Sequence, residues 1–217
     1  MGSDLYPRDA QQGFESVLDT ARHLAVDALL IAGDLFDSGT VPEETVHYVF
    51  ESLAGLHRPS IVLPGNHDTL LTSDSFLLHE SRENVYTLRE RDGEMVRLSD
   101  LTLSVWGCPV YNHVPEFHPL GDIQPRPDGG WYVVIGHGIV LDSVSFIDRG
   151  SPITHEELAN ADCDYIALGH THVFRDVTKG KAAAFYSGAP SGGHERTAAL
   201  VTLDPDTGVT VEQIHVS

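Results

Sequence analysis

The sequence predicts a layered α/β domain, and three observations carry that prediction. Four apolar runs, at residues 28–32, 61–63, 132–135 and 165–168, read as buried strands, and each leads into a glycine with a polar side chain just beyond it. Helical periodicity alternates with such runs in the first half, while the second half is richer in strands. The chain has 217 residues, enough for one domain with a substantial core, and shows no internal repeat, low-complexity tract or linker.

Taken in order, Phe14, Val17, Leu18, Ala21, Leu24 and Ala25 share one helical face and predict an amphipathic helix ahead of a strand at 27–32. Pro42, Glu43 and Glu44 suit a helix first turn, where an N–H is not needed and acids are favoured. Val46, Val49, Phe50 and Leu53 form the apolar stripe of that helix. Thr154 with Glu157 makes a capping box for a short helix leading into a strand at 164–168. Further strands are expected at 101–106, 131–135, 183–186, 198–203 and 209–216. The last two are joined as a hairpin by the turn cluster Asp204-Pro205-Asp206-Thr207-Gly208. Proline and glycine crowd residues 108–130, which predicts a long irregular loop near the strand ends. His113 and His118 lie in it and are expected to face solvent rather than substrate.

The chemistry sits just past the strands, in Gly33-Asp34-Leu35-Phe36-Asp37, Gly65-Asn66-His67-Asp68, Gly136-His137-Gly138 and Gly169-His170-Thr171-His172. Open α/β sheets bind ligands at the carboxyl ends of their strands. Carboxylate, amide and imidazole donors with no thiolate among them suit hard-to-borderline divalent metals. Any one of these stretches could be a capping or core histidine met by accident; four in this order describe a metal site. Rival chemistries leave little trace. There is no Gly-x-Ser-x-Gly elbow and no Gly-x-x-x-x-Gly-Lys phosphate loop, and His155-Glu156-Glu157 lacks the second histidine of a zincin. Arg196 is a candidate to help hold a phosphate.

On these residues the sequence resembles the calcineurin-like metallophosphoesterases, from the Gly2 region through Tyr186-Ser187-Gly188-Ala189-Pro190. It is most similar to the exonuclease branch that contains SbcD and the Mre-type repair nucleases. That likeness rests on Ala32-Gly33-Asp34-Leu35-Phe36-Asp37-Ser38, on Ala167-Leu168-Gly169-His170-Thr171-His172 and on Tyr-Ser-Gly-Ala-Pro. The resemblance implies a four-layer α/β/β/α sandwich of two mixed sheets flanked by helices, with the motifs meeting at one edge. It implies that Asp34 bridges two divalent ions, that Asn66, His137 and His170 complete one shell, and that His172 ligates the other ion. His67 would stabilise or protonate the leaving oxygen, with Asp68 orienting it, and Asp37 would support the site rather than ligate.

Manganese is the first choice of ion for such mixed donors, with iron and zinc next. Two ions about 3.5–4 Å apart clamp the attacking and leaving oxygens of an in-line displacement and lower the pKa of a shared water. The implied function is metal-dependent hydrolysis of phosphoesters, as a phosphodiesterase or nuclease-like exonuclease. The alternative is a non-catalytic or one-metal module for binding or scaffolding, which would not be expected to retain His67.

One departure matters. The family opens with a strand ending in Asp-x-His, which supplies two ligands to the ion held by His172. This chain begins Met1-Gly2-Ser3-Asp4, with the first helix close behind. The first strand is therefore expected to be missing, the second metal position incomplete and the activity impaired. Truncation explains this better than evolved loss, because the other motifs are intact. Asp4 and Asp9 are nearby carboxylates, but nothing in their spacing recommends them as substitutes. Residues 1–217 are read as a single phosphoesterase domain, without the capping domain of the exonuclease branch.

Thirteen Lys and Arg against 32 Asp and Glu leave a formal charge of −19. Such a surface repels a phosphate backbone, so tight duplex DNA binding by this chain alone is not expected. Nucleic acid ends and nucleotides stay open as substrates, and an ATPase partner or a homodimer could contribute positive charge. No run approaches the ~18 apolar residues of a membrane span, and no charged-then-apolar leader precedes Tyr6. Cys108 and Cys163 are too few for a disulfide framework and lie outside any ligand spacing, which fits a cytoplasmic location.

Overall fold

The computed structural model describes residues 7–38, 41–68, 80–141, 150–192 and 195–216. Helix α1 (Pro7–His23) stops short of the expected Leu24 and Ala25. Ala25 takes φ 51°, which turns the chain and leaves Leu24 exposed. Strand β1 (Leu29–Ala32) leads to α2 (Glu43–Ala54), which buries the anticipated stripe of Val46, Val49, Phe50 and Leu53. Pro42 is the residue just outside that helix rather than part of its first turn. Strands β2 (Ser60–Leu63) and β3 (Val85–Thr87) complete a parallel sheet in the order β1-β2-β3.

Next come β4 (Glu94–Leu98), β5 (Leu103–Gly107), β6 (Trp131–His137), β7 (Ile139–Leu141) and β8 (Pro152–Thr154). Helix α3 (His155–Asn160) starts on the predicted capping box, with Thr154 and Glu157 each bonding the other's backbone N–H. Strands β9 (Tyr165–Gly169), β10 (Phe174–Asp176), β11 (Ala183–Ser187), β12 (Thr197–Asp204) and β13 (Gly208–His215) close the chain. Six of these strands form a mixed sheet in the order β10-β11-β9-β6-β5-β4, antiparallel only at its two outer pairs. The predicted hairpin is β12-β13, with Asp204 opposite Gly208.

Side chains alternate between the two faces of a strand, and here that alternation divides the apolar residues among three cores. Val62 of β2 turns toward Leu18, Val46, Phe50 and Leu53 of the first two helices. Its neighbours Ile61 and Leu63 turn the other way, onto Val105, Val133, Ile135 and Ala167 of the six-stranded sheet. The far face of that sheet carries Trp106, Val134, Ile166 and Tyr186, covered by Leu158 of α3 and by Val110, Phe117 and Leu120 of the long loop. The layers thus run helix, sheet, sheet, helix with loop. The β12-β13 hairpin shares the middle core with β1 through Val201, Leu203, Val209 and Val211. It is nevertheless not hydrogen-bonded to β1, whose edge away from β2 has no partner strand among the described residues. All four β1 residues are only half-buried, whereas all four of β2 are buried. No helix among the described residues is long and apolar enough to cross a membrane.

Candidate metal centre

The carboxyl ends of β1, β2, β6 and β9 converge where the two sheets face each other. The approach is close enough to explain two of the motif glycines. A Cβ on Gly33, which has φ 88°, would lie 2.1 Å from Nδ1 of His137. One on Gly169 would lie 1.6 Å from the Ala32 carbonyl oxygen. Directly after these glycines stand two non-glycine residues with positive φ, Asp34 at 53° and His170 at 94°. Such conformations cost on the order of 1–3 kcal/mol each and gather at functional sites.

Four donor atoms meet there. Oδ1 of Asn66 is 3.0 Å from Nε2 of His137 and 3.1 Å from Nδ1 of His170. These two nitrogens are 3.2 Å apart, and Oδ2 of Asp34 lies 3.2 Å from Nε2 of His137. Asp34, His137 and His170 place their ligand atoms within 4.8 Å of one another, and His172 is not part of that group. His137 is buried, and its Nδ1 donates to the Ala32 carbonyl at 2.8 Å. That bond fixes the tautomer and leaves Nε2 with a lone pair facing the cluster. Burial lowers His170 to about 4, so its ring is neutral at ordinary pH. Burial alone would raise the Asp34 carboxyl. The His67 N–H, together with the bond and charge that His137 offers whenever its ring is protonated, outweighs that effect and holds Asp34 below the usual range, ionised.

His67 stands at the exposed rim. Its backbone N–H donates to Oδ1 of Asp34 at 2.8 Å, and its ring Nδ1 meets the Asp37 carbonyl at 3.1 Å. The expected orientation of this ring by Asp68 takes another form. The buried Asp68 carboxylate accepts the N–H groups of Gly65, Leu35 and Phe36 at 2.9, 3.1 and 2.8 Å. It therefore locks the Asp34 and Asn66 loops together, and the Asp37 backbone holds His67. Burial pushes the Asp68 carboxyl up to about 6, against those three donors.

The remaining candidates scatter. His172 is exposed on the loop after β9, near enough for its charge to act on His170. Asp4 lies outside the described residues, and Asp9 is not available as a ligand. One of its oxygens pairs with Arg196 and the other accepts the Gly192 N–H at 2.8 Å. The same pair takes Arg196 out of consideration as a phosphate binder. His118 bonds Glu157 at 2.8 Å, at the start of α3. His113 is only half-exposed and sets its ring edge-on to His170, with centroids 5.9 Å apart. Two groups went unread in the sequence. One is the Ala32 carbonyl, which no side-chain pattern could signal. The other is the Tyr186 hydroxyl, which donates to Gly138 and accepts from the Val140 N–H, both at 2.8 Å, and so pins the turn after His137.

Fold and site together define a class: a two-sheet α/β domain with mixed oxygen and nitrogen donors gathered at the carboxyl ends of its strands. Residues 3–174 match the calcineurin-like phosphoesterase family, and the chain belongs to it. It is 23% identical to the SbcD component of the nuclease SbcCD of Bacillus subtilis, over 88% of this chain and 60% of that protein. It is 29% identical to the DNA double-strand break repair protein Mre11 of Aeropyrum pernix, over 77% of this chain and 44% of that one. The chain thus spans less than two thirds of the length of either relative. Among solved structures, TT1561 of Thermus thermophilus superposes with a TM-score of 0.63 at 14% identity, covering 96% of this chain and 95% of that one. An archaeal phosphodiesterase gives 0.53 at 16% identity, covering 96% and 94%. Identities this low speak for the fold alone, a metallophosphoesterase sandwich.

Proposed function

We propose that the chain is a metal-dependent phosphodiesterase of the nuclease-like kind, acting on nucleotide diesters or nucleic acid ends. The observation that carries this reading is the set of lone pairs on Asp34, Asn66, His137 and His170, which face one another with too few protons between them. His137 has spent its one N–H on Ala32, so at most one proton, on His170, lies within the cluster. A cation satisfies all four donors at once. Mixed carboxylate, amide and imidazole donors would suit manganese or iron, with zinc next.

Asp34, Asn66, His137 and His170 would hold that ion. When bound, divalent ions lend positive charge to phosphoryl oxygens and make hydroxide available near neutral pH. The rest falls to the chain's own groups. His67 keeps Nδ1–H on the Asp37 carbonyl. In its protonated, imidazolium form Nε2–H is therefore the group that hands a proton to the leaving oxygen, leaving the neutral ring with its proton on Nδ1. Asp68 holds the two loops in register. A charge of −19 turns the surface away from duplex DNA and toward small or end-exposed phosphodiesters. A basic partner of the ATPase kind, or a second copy, would extend that reach, and the setting is cytoplasmic.

A second ion would need donors beside His172. A strand bearing Asp-x-His along the unpaired edge of β1 would bring them, between β1 and the β12-β13 hairpin. The test measures metal content and turnover of bis(nitrophenyl) phosphate with Mn²⁺ for the chain, for His137→Ala and for a version extended upstream through such a strand. The chain takes up metal, His137→Ala does not, and the extended version is faster by roughly 10²–10³, the weight of lost electrostatic contacts of this kind. No uptake of manganese, iron or zinc by folded protein would defeat the proposal. Equal rates for the two lengths would defeat its dinuclear part.

A further inference from the structure

The Tyr186-Ser187-Gly188-Ala189-Pro190 segment carries part of the family likeness, yet none of its side chains belongs to the donor set. It leaves the six-stranded sheet at the end of β11, which lies parallel to β9 with Tyr186 opposite Leu168. Leu168 in turn lies opposite Gly136 of β6. Gly136, Leu168 and Tyr186 therefore form one row across three parallel strands. One residue beyond that row on β6 stands His137, and two beyond it on β9 stands His170. The Tyr186 ring is buried in the far core of the sheet, with Val134, Ile166 and Leu168.

A phenyl ring would fill that place equally well, so the packing alone does not account for the oxygen. The Tyr186 hydroxyl donates to the Gly138 carbonyl and accepts the Val140 N–H, each at 2.8 Å, and so closes the turn directly after His137. Burial raises its pKa, while the Val140 N–H and the Thr171 side chain, bonded to the same oxygen, lower it. Thr171 directly follows His170. A phenol gives one proton and accepts on its oxygen, and these three partners take up that capacity between them. One buried atom thus touches both imidazole-bearing turns. His170 needs such support, because a residue at φ 94° persists only where its surroundings over-determine it. Between the two turns themselves runs a backbone bond from the Gly138 N–H to the Gly169 carbonyl, long at 3.4 Å and therefore weak. The hydroxyl supplies the stronger tie.

The rest of the segment holds that tyrosine from behind. Gly188, with φ 77°, runs so close to Thr197 that a Cβ would lie 1.9 Å from its hydroxyl oxygen. The Thr197 hydroxyl donates to the Ser187 carbonyl at 3.1 Å, and the Thr197 N–H donates to the Ala189 carbonyl at 3.0 Å. The chain beyond Tyr186 is thus anchored on the start of β12. We propose that Tyr186 is a positioning residue of the metal centre: its hydroxyl ties the turn after His137 to the turn after His170 and so sets the 3.2 Å separation of the two imidazole nitrogens that would hold the ion. This rests on the metal-dependent reading of the site and adds to it a residue that touches neither ion nor substrate.

The test compares the full chain with Tyr186→Phe, which keeps the ring and loses the hydroxyl, and with Thr154→Ala, which loosens α3 away from the site. Mn²⁺ titration by calorimetry gives a dissociation constant about 10–100-fold weaker for Tyr186→Phe, the usual weight of a group that orients ligands. Thr154→Ala binds like the parent although it too melts lower, which separates positioning from a general loss of stability. Thr171→Val takes away one of the three bonds and keeps the side-chain shape; it weakens binding in the same direction by less, and it decides the matter if Tyr186→Phe folds poorly. Imidazole NMR of the metal-free protein reads the same tie without an ion. Tyr186→Phe shifts the ring signals of both His137 and His170 and leaves those of His118 in place. Parent-like affinity in Tyr186→Phe, an equal loss in Thr154→Ala, or ring signals that stay put at either histidine overturns the positioning role. Failure of the parent to take up metal speaks instead against the metal-dependent reading, while the imidazole signals still decide whether Tyr186 holds the two rings.

Discussion

Replacing Gly169 with alanine puts a methyl 1.6 Å from the Ala32 carbonyl oxygen and 2.9 Å from Nδ1 of His137. Restoring ordinary contact, near 3.4 Å, means moving that carbonyl by nearly 2 Å, more than the 2.8 Å bond from His137 to Ala32 can absorb. Overpacking of this kind costs about 1–3 kcal/mol, and orphaning the buried His137 N–H costs roughly 1–3 kcal/mol more. The sum, roughly 2–6 kcal/mol, corresponds to a fall in Tm on the order of 10 °C for a chain of this size. Loss of the group that orients His137 also weakens metal binding by about 10–100-fold. Thermal melts of the metal-free protein and Mn²⁺ titration by calorimetry read the two effects separately. Gly129→Ala is the control: its φ is 73° with nothing within 4 Å, so it bears only the left-handed penalty of about 1–2 kcal/mol. If Gly169→Ala matched the parent in Tm and affinity, the close approach of the two sheets at the metal centre would be wrong.

Three further outcomes are expected. His67→Asn lowers turnover by roughly 10²–10⁴ with metal content unchanged, and by less on nitrophenyl diesters, whose leaving group needs little help; metal lost along with activity would make His67 a ligand instead. Cys108 and Cys163 both have thiols raised by burial to about 12, so an aromatic disulfide reagent at pH 8 should label neither in folded protein and both in denaturant. Fast labelling without denaturant would contradict their burial. Thr154→Ala removes the α3 capping box and should cost about 1 kcal/mol with the metal centre untouched, which a urea titration would register.

Much of the sandwich was legible because its central strands are continuous apolar runs that end in glycine. The helix stripes of α2 and the α3 capping box were equally plain, since spacing alone encodes them. Strands β3, β4, β7, β8 and β10 were not anticipated. Four of them have three residues, too few to show a period, while β4 carries charged Glu94 and Arg97 among its five, and each exists by pairing with a neighbour. The end of α1 was misplaced because Leu24 fits the helical stripe, while the φ of Ala25 leaves no mark in hydrophobicity. At the site, residue types announced the donors Asp34, Asn66, His137 and His170, and the structure brings them together. The part played by Asp68 was not legible, because a carboxylate bonded to three backbone N–H groups looks, in sequence, like one beside a histidine.

Asp34 and Asn66 rise from the three-stranded sheet, while His137 and His170 rise from the six-stranded one, so the donor set straddles the seam between the two halves of the molecule. An ion seated there would act as a rivet as well as a reagent. Binding only the assembled form, it would add about 2.7 kcal/mol of cohesion at a hundred times its dissociation constant. That cohesion would fall along the seam where β1 has one neighbouring strand among the described residues. Readiness for chemistry and resistance to the sheets sliding apart would then rise and fall with the same ion supply, and a sample stripped by a chelator would be softer as well as idle.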